Sequence, residues 1–166
     1  MALHLKRLSP ADKADVYTLT QTIPAEENGF YNSANGLSRE AFCAWLTQQH
    51  EISQGIGLQE GWVPQAIYWL YDDDQPVGMC KLRTRLTEAL LNGGGNIGYA
   101  IAPFARGKGY GKEQLRLVLD EAKKAGLEKV LITARNYNKA SIGVALSCGG
   151  VIERVTESEH FIWITL

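Results

Sequence analysis

Apolar and polar positions along the chain change period several times, and each change marks an element. In the first eight residues, Met1 to Leu8, Leu3, Leu5 and Arg7 fall on one face at period two, which predicts a short strand. Ser9-Pro10 predicts the start of a helix to about Gln21, with Ser9 as N-cap, Pro10 at the first helical position and Asp12 at the capping-box position. Thr22 to Gly36 carries a proline, three asparagines and two glycines and reads as a loop. It is long for a connection, and long loops are more often functional than short ones. Ser38 caps a second helix, in which Phe42, Trp45, Leu46 and Ile52 form an apolar stripe ended by Gly55, Gly57 and Gly61. Gln65–Tyr71 and Pro76–Arg85 read as a hairpin around Asp72-Asp73-Asp74-Gln75.

Leu86 to Gly95 is a connection ending in three glycines, and Asn96–Ala102 is a strand stopped by Pro103. Gly109–Ala125 predicts a helix with Leu115, Val118, Leu119 and Ala122 on its buried face and Gly126 as C-cap. Lys129–Ala134 is a strand, Lys139–Cys148 a short helix ended by Gly149-Gly150, and Val151–Val155 with Phe161–Leu166 a final hairpin. This order predicts an α/β (α+β) fold in one domain over residues 1–166, with a central mixed sheet of about seven strands and helices on both faces. The strands at Asn96 and Lys129 are joined through a helix, so they are expected to be parallel neighbours.

Composition narrows the function. A net charge of -1 gives no electrostatic reason to expect nucleic acid or an anionic membrane. No apolar run approaches the ~20 residues of a membrane span, and the N-terminus lacks the apolar core of a signal peptide. Cys43, Cys80 and Cys148 are odd in number and form no Cys-x-x-Cys pair, so they are expected to be free, mostly buried thiols in a reducing, cytoplasmic setting. His4, His50 and His160 lie far apart, and no metal site is expected.

The strongest chemical signal is Arg106-Gly107-Lys108-Gly109-Tyr110-Gly111, which follows a strand and opens a helix. Glycines let amides turn inward as a nest, and the helix N-terminus adds partial positive charge. Arg106 and Lys108 add cations, so the loop suits a pyrophosphate. A Walker A loop would need Gly at Arg106 and Ser or Thr at Glu113, and a dinucleotide fingerprint would need Gly at Lys112; both fail.

The loop resembles the pyrophosphate motif of the GNAT superfamily of acetyl-CoA-dependent N-acetyltransferases, Arg/Gln-x-x-Gly-x-Gly/Ala, through Arg106, Gly109 and Gly111. The preceding strand Ile97–Pro103, the helix entry Asn138–Ser141 and Gly149-Gly150 stand at the family's spacing. Tyr68 to Gly150 is most similar to a branch of predicted acetyltransferases of undefined substrate. The resemblance implies acetyl-CoA as co-substrate and a parallel strand pair, around Tyr99–Ile101 and Leu131–Thr133, that splays into a V. It implies that Tyr99 and Ile101 follow pantetheine, that Arg106, Gly107, Lys108, Gly109, Tyr110, Gly111 and Lys112 hold pyrophosphate, and that Asn138 and Ser141 line the arm. On local grounds Asn138 reads equally as a helix N-cap.

The family's proton-transfer groups are missing. The Tyr that reprotonates the thiolate is replaced by Ala145, and the base carboxylate of histone-type members falls at Gly95 or Asn96. Tyr99, Glu88 and Glu26 remain as candidates, with Glu27 and His160 behind them. Lys81, Arg83 and Arg85 share one strand face, which reads first as a solvated face and second as an anion site for an acceptor carboxylate or a cofactor phosphate. The expected activity is acetyl transfer to a small-molecule amine, with a homodimer allowed for. The alternative is a CoA-binding module or sensor without robust catalysis.

Overall fold

The computed structural model describes residues 2–166, so Met1 lies outside the described residues. The elements are β1 (Leu3–Arg7), α1 (Ala14–Thr22), β2 (Glu26–Glu27), β3 (Phe30–Tyr31), α2 (Arg39–Ser53), β4 (Gln65–Asp72), β5 (Gln75–Arg83) and α3 (Glu88–Leu91). They continue with β6 (Ile97–Ile101), a 3-10 turn at Pro103–Ala105, α4 (Tyr110–Lys124), β7 (Lys129–Arg135), α5 (Lys139–Ser147), β8 (Val151–Val155) and β9 (Glu159–Thr165). The expected α/β order is present. The strands form a four-stranded antiparallel sheet, β1-β4-β5-β6, and a three-stranded antiparallel sheet, β7-β9-β8, rather than one continuous sheet. No ladder joins β6 to β7.

Two local expectations change for identifiable reasons. Ser9-Pro10 opens a turn, and α1 starts only at Ala14. Asp12 closes that turn, its amide donating to the Ser9 carbonyl at 3.0 Å. Its carboxylate accepts from the Ser9 amide at 2.9 Å and from Trp69 Nε1 at 2.8 Å, and it meets Lys6 at 3.0 Å. Asp12 thus keeps the local bond to Ser9 and gains tertiary partners, while the helix itself begins later. The Thr22–Gly36 loop holds the β2–β3 hairpin, turned by Asn28-Gly29 at φ 56° and 87°. These two positive φ angles suit a tight Asn-Gly hairpin turn. Buried Asn32 anchors the segment, its Nδ2 donating to the Thr20 and Ile23 carbonyls at 2.9 Å. Cys80 is buried and Cys148 half-buried, but Cys43 is exposed, because it sits off the apolar stripe of α2.

The sheets separate two cores. Ile97, Leu115, Val118, Ile132, Ala145 and Ile162 pack together on the α4–α5 side. Val16, Leu19, Trp45, Leu46, Trp69 and Met79 pack together on the α1–α2 side. Alternation along β6 therefore sends Ile97 and Tyr99 toward α4 and α5. Gly98 and Ala100 face the other way, toward Phe30 and the α1–α2 core.

One residue joins the two sheets. The Asn96 amide donates to the Leu131 carbonyl at 2.8 Å, and its carbonyl accepts from the Arg83 amide at 2.7 Å. Its side-chain Nδ2 donates to the Arg83 carbonyl at 2.9 Å, and its Oδ1 accepts from the Leu131 amide at 2.8 Å. Gly95, at φ +59°, brings the chain so close that a Cβ would lie 2.4 Å from the Leu131 carbonyl oxygen. Gly95 and Asn96 thus have a structural role where histone-type relatives carry a base. Asn96→Ala would leave a buried amide and a buried carbonyl unpaired, at about 1–3 kcal/mol each. Urea unfolding is expected to show a loss of about 2–5 kcal/mol; a midpoint unchanged from wild type would show that the sheets are held together elsewhere.

Candidate functional site

Past Asn96, β6 and β7 share no main-chain hydrogen bond, and a cleft of about 760 Å³ opens beside them. At one end lies the glycine loop. Gly107 and Gly109 stand at φ +80° and +81°, and Gly109 is the N-cap of the fifteen-residue α4. A Cβ at either would meet nothing within 4 Å, so what requires glycine is backbone direction, not packing. Gly111 differs: it has no positive φ, and its Cβ would make an ordinary contact with Val144 at 3.8 Å.

The structure sorts the expected cofactor residues. Tyr99, Ile101, Arg106, Gly107, Gly109, Gly111, Lys112, Asn138 and Ser141 all line the cleft. Lys108 is exposed and outside it. Tyr110 borders the cleft, but its side chain is buried and its hydroxyl donates to the Asp72 carboxylate, leaving its main chain to face the site. Arg106 Nε donates to the Ile101 carbonyl at 3.0 Å, and its guanidinium forms an ion pair with Glu27 across the cleft mouth. Asn138 is the N-cap of α5, its Oδ1 accepting from the Ser141 amide at 3.3 Å, and it also lines the cleft.

The proton-transfer candidates separate sharply. Glu88 is exposed in the first turn of α3 and does not line the cleft. Glu26 accepts from the Gly29 amide at 2.9 Å within its own hairpin, and His160 meets Asn136 at 2.8 Å; neither lines the cleft. Glu27 does, but it is paired to Arg106. Tyr99 also does, and its hydroxyl shares a hydrogen bond with Ser141 Oγ at 3.0 Å. Burial pushes this phenol up to about 12, against a smaller opposing effect of the Ser141 hydrogen bond. Sequence reasoning missed Glu159, a cleft-lining carboxylate 3.9 Å from Arg135. Only the β7–β9 register, which pairs Glu159 with Arg135, brings it there.

The basic strand face is not a solvated one. Arg85 is exposed, but Lys81 and Arg83 are half-buried and line the cleft. The Lys81 ammonium donates to the Tyr31 carbonyl and sits 4.8 Å from the Phe30 ring centre. Arg83 Nε donates to Gln65 Oε1 at 3.0 Å, and its Nη1 donates to the Gly94 and Gly95 carbonyls at 3.3 and 3.1 Å. Burial, then the neighbouring Arg83 charge, lowers the Lys81 ammonium to about 8. Burial also lowers Arg83.

Lys81 therefore binds its proton more weakly folded than unfolded. Below pH 8 the charge opposes folding, and that penalty disappears as pH rises from about 8 toward the free lysine value of about 10.4. Lys81→Met is expected to stabilise the ligand-free chain at pH 7 by on the order of 1–3 kcal/mol, with no such gain at pH 11. Urea midpoints at the two pH values check this, and an equal gain at both would assign the effect to packing.

Comparisons with known proteins follow the same lines. No curated protein matches the chain in sequence. Solved structures do match in fold. A ribosomal L7/L12 alpha-N-protein acetyltransferase in complex with coenzyme A has TM-score 0.75 at 14% identity, over 99% of this chain and 94% of that one. The yncA protein of Salmonella typhimurium, with its cofactor acetyl-CoA, has TM-score 0.63 at 15% identity, over 100% and 95%. An acetyltransferase from Salmonella typhimurium that modifies the N-terminal serine of L7/L12 has TM-score 0.67 at 14% identity, over 99% and 95%. A family model described as an acetyltransferase (GNAT) domain matches residues 2–151, and the chain belongs to the GNAT acetyltransferase family.

Proposed function

We propose that the chain transfers an acetyl group from acetyl-CoA to the amine of a small molecule by direct attack. The observation that carries this reading is the glycine loop: two left-handed glycines, open on their Cβ side, lead into α4 at one end of the cleft. Amides of residues 107–112 and the N-terminus of α4 suit the pyrophosphate. Arg106 is placed to exchange Glu27 for a phosphate oxygen. The pantetheine arm would lie along β6 in the gap left by the absent β6–β7 ladder, the two strands splaying as a parallel pair.

The chemistry then divides between the faces of the sheet. The neutral amine nitrogen attacks the thioester carbonyl carbon, forming C–N and breaking C–S; the proton lost from nitrogen passes to water, and sulfur leaves as a thiolate that takes its proton from solvent. Tyr99 faces the α4–α5 side, and with its phenol raised to about 12 it keeps its proton at neutral pH and can steady the departing thiolate as a hydrogen-bond donor. It stands against Ser141, one helical turn from buried Ala145, where the family's tyrosine is missing. A thiolate of pKa ~8.5 leaves readily without help, so this assistance is modest. A protein N-terminus is the second reading of the acceptor, because one structural neighbour modifies the N-terminal serine of a ribosomal protein.

Acetyl-CoA at a hundredfold excess over its Kd should stabilise the chain by about 2.7 kcal/mol, read as a dose-dependent rise in Tm. Gly109→Val should remove the rise in a chain that still folds, because a β-branched residue resists a positive φ. Arg106→Ala should weaken it less. No shift in wild type at millimolar cofactor would defeat the reading. Release of free thiol across an amine and peptide panel separates catalysis from a CoA-binding module. Tyr99→Phe should lower kcat by about 10- to 100-fold, the loss of one hydrogen bond to a charged group. A thousandfold loss with cofactor binding intact would make Tyr99 indispensable rather than assisting.

A further inference from the structure

Lys81 and Arg83 present positive charge to the cleft without a carboxylate to balance it. Neither takes part in any ion pair among the described residues. The carboxylates lining the cleft are Glu27 and Glu159, already paired with Arg106 and Arg135. Lys81 meets only a carbonyl and an aromatic face, and the Nη2 of Arg83 has no hydrogen-bond partner among the described residues. Buried charges in proteins are ordinarily paired, and a planar guanidinium edge beside an ammonium is a matched receptor for a carboxylate.

Their location selects what the anion belongs to. Lys81 lies opposite Gly98, three residues up the β5–β6 ladder from the Gly78–Ile101 pair beside the glycine loop. At the rise of a strand this is about 10 Å, and Arg83 is about 7 Å farther. The pyrophosphate loop is therefore at the wrong end to be served by them. They are also on the opposite face from Tyr99: Lys81 shares the side of Gly98 and Phe30, under the β2–β3 hairpin, while Tyr99 packs toward α4 and α5. On the proposed reading, the thioester enters from the α4–α5 side and the amine from the hairpin side.

We infer that Lys81 and Arg83 form a carboxylate-binding site on the acceptor side of the cleft, so that the acceptor is an amine that also carries a carboxylate. The inference rests on the acetyltransferase reading for the word acceptor, but the anion site itself does not. The pair of cations also explains why a strand face holds charge at a cost to folding: the ligand restores the missing partner.

The test has two arms. In the first, the Arg83 side-chain resonances are followed in ¹H–¹⁵N spectra of the full chain, free and saturated with coenzyme A, during titration with acetate, inorganic phosphate or chloride at constant ionic strength. Acetate is expected to move Arg83 along a saturating curve and chloride is not; Lys81→Gln should abolish saturation and Lys81→Arg should retain it. Identical drift with acetate and chloride overturns the site, and saturation by phosphate but not acetate overturns its carboxylate assignment. In the second arm, each amine of a panel is offered as the free carboxylate and as the carboxamide. The carboxylate is expected to win by tenfold or more in kcat/KM, mainly through KM, and Lys81→Gln should reduce the preference below threefold. Turnover without that preference overturns the acceptor class. Failure of acetyl-CoA to shift Tm would instead strike the acetyltransferase reading and leave the acetate titration to decide the anion site.

Discussion

The molecule depends on the four hydrogen bonds that Asn96 makes to Arg83 and Leu131. A carboxamide offers both a donor and an acceptor on one short side chain, so a single residue can mimic a rung of sheet on each side. Buried at 1% exposure, it does this without competition from water. A longer ladder between β6 and β7 would close the gap and leave no room for a ligand arm. One residue's worth of pairing holds them together at one point and leaves the cleft open beyond it.

The same geometry gives the cleft two unlike faces. Residues on β6 alternate, so Tyr99 belongs to the α4–α5 core while Gly98 lies under Phe30 of the hairpin. Lys81, the partner of Gly98 across the β5–β6 ladder, also lies against Phe30. Donor-side chemistry and acceptor-side recognition are thereby assigned to opposite sides of one strand. The hairpin links both ends of the cleft: Glu27 pairs with Arg106 at the mouth, and Tyr31 holds Lys81 with its carbonyl.

Charge inside the cleft works against folding and in favour of binding. A lysine beside an arginine in a half-buried wall loses hydration and gains repulsion, which is why its ammonium titrates near 8. Carbonyls of Gly94, Gly95 and Tyr31 offset part of that loss but carry no countercharge. Sites that hold such unbalanced charge are where a ligand of opposite sign gains most.

What the sequence determined by itself was local: the order of elements, the glycine loop ahead of α4, the caps at Ser38 and Asn138, and the β4–β5 hairpin, all written in neighbouring residues. Those signals depend on backbone preferences and short-range periodicity, which one stretch of chain carries alone. Tertiary structure decided the rest. Lys81 and Arg83 look like a solvated face until a hairpin fifty residues upstream covers Lys81, its Tyr31 carbonyl meeting the ammonium. Glu159 enters the cleft only through its register with Arg135. Asp12 adds Trp69, fifty-seven residues away, to its bond with the Ser9 amide. Gly95 reads as the end of a connection and Asn96 as the start of a strand, and the role of Asn96 appears only when Leu131 arrives to accept and donate. Whether a polar side chain is solvated, a structural stitch or a receptor depends on which distant groups exclude water from it, and that is a property of the packed chain, not of any local run of residues.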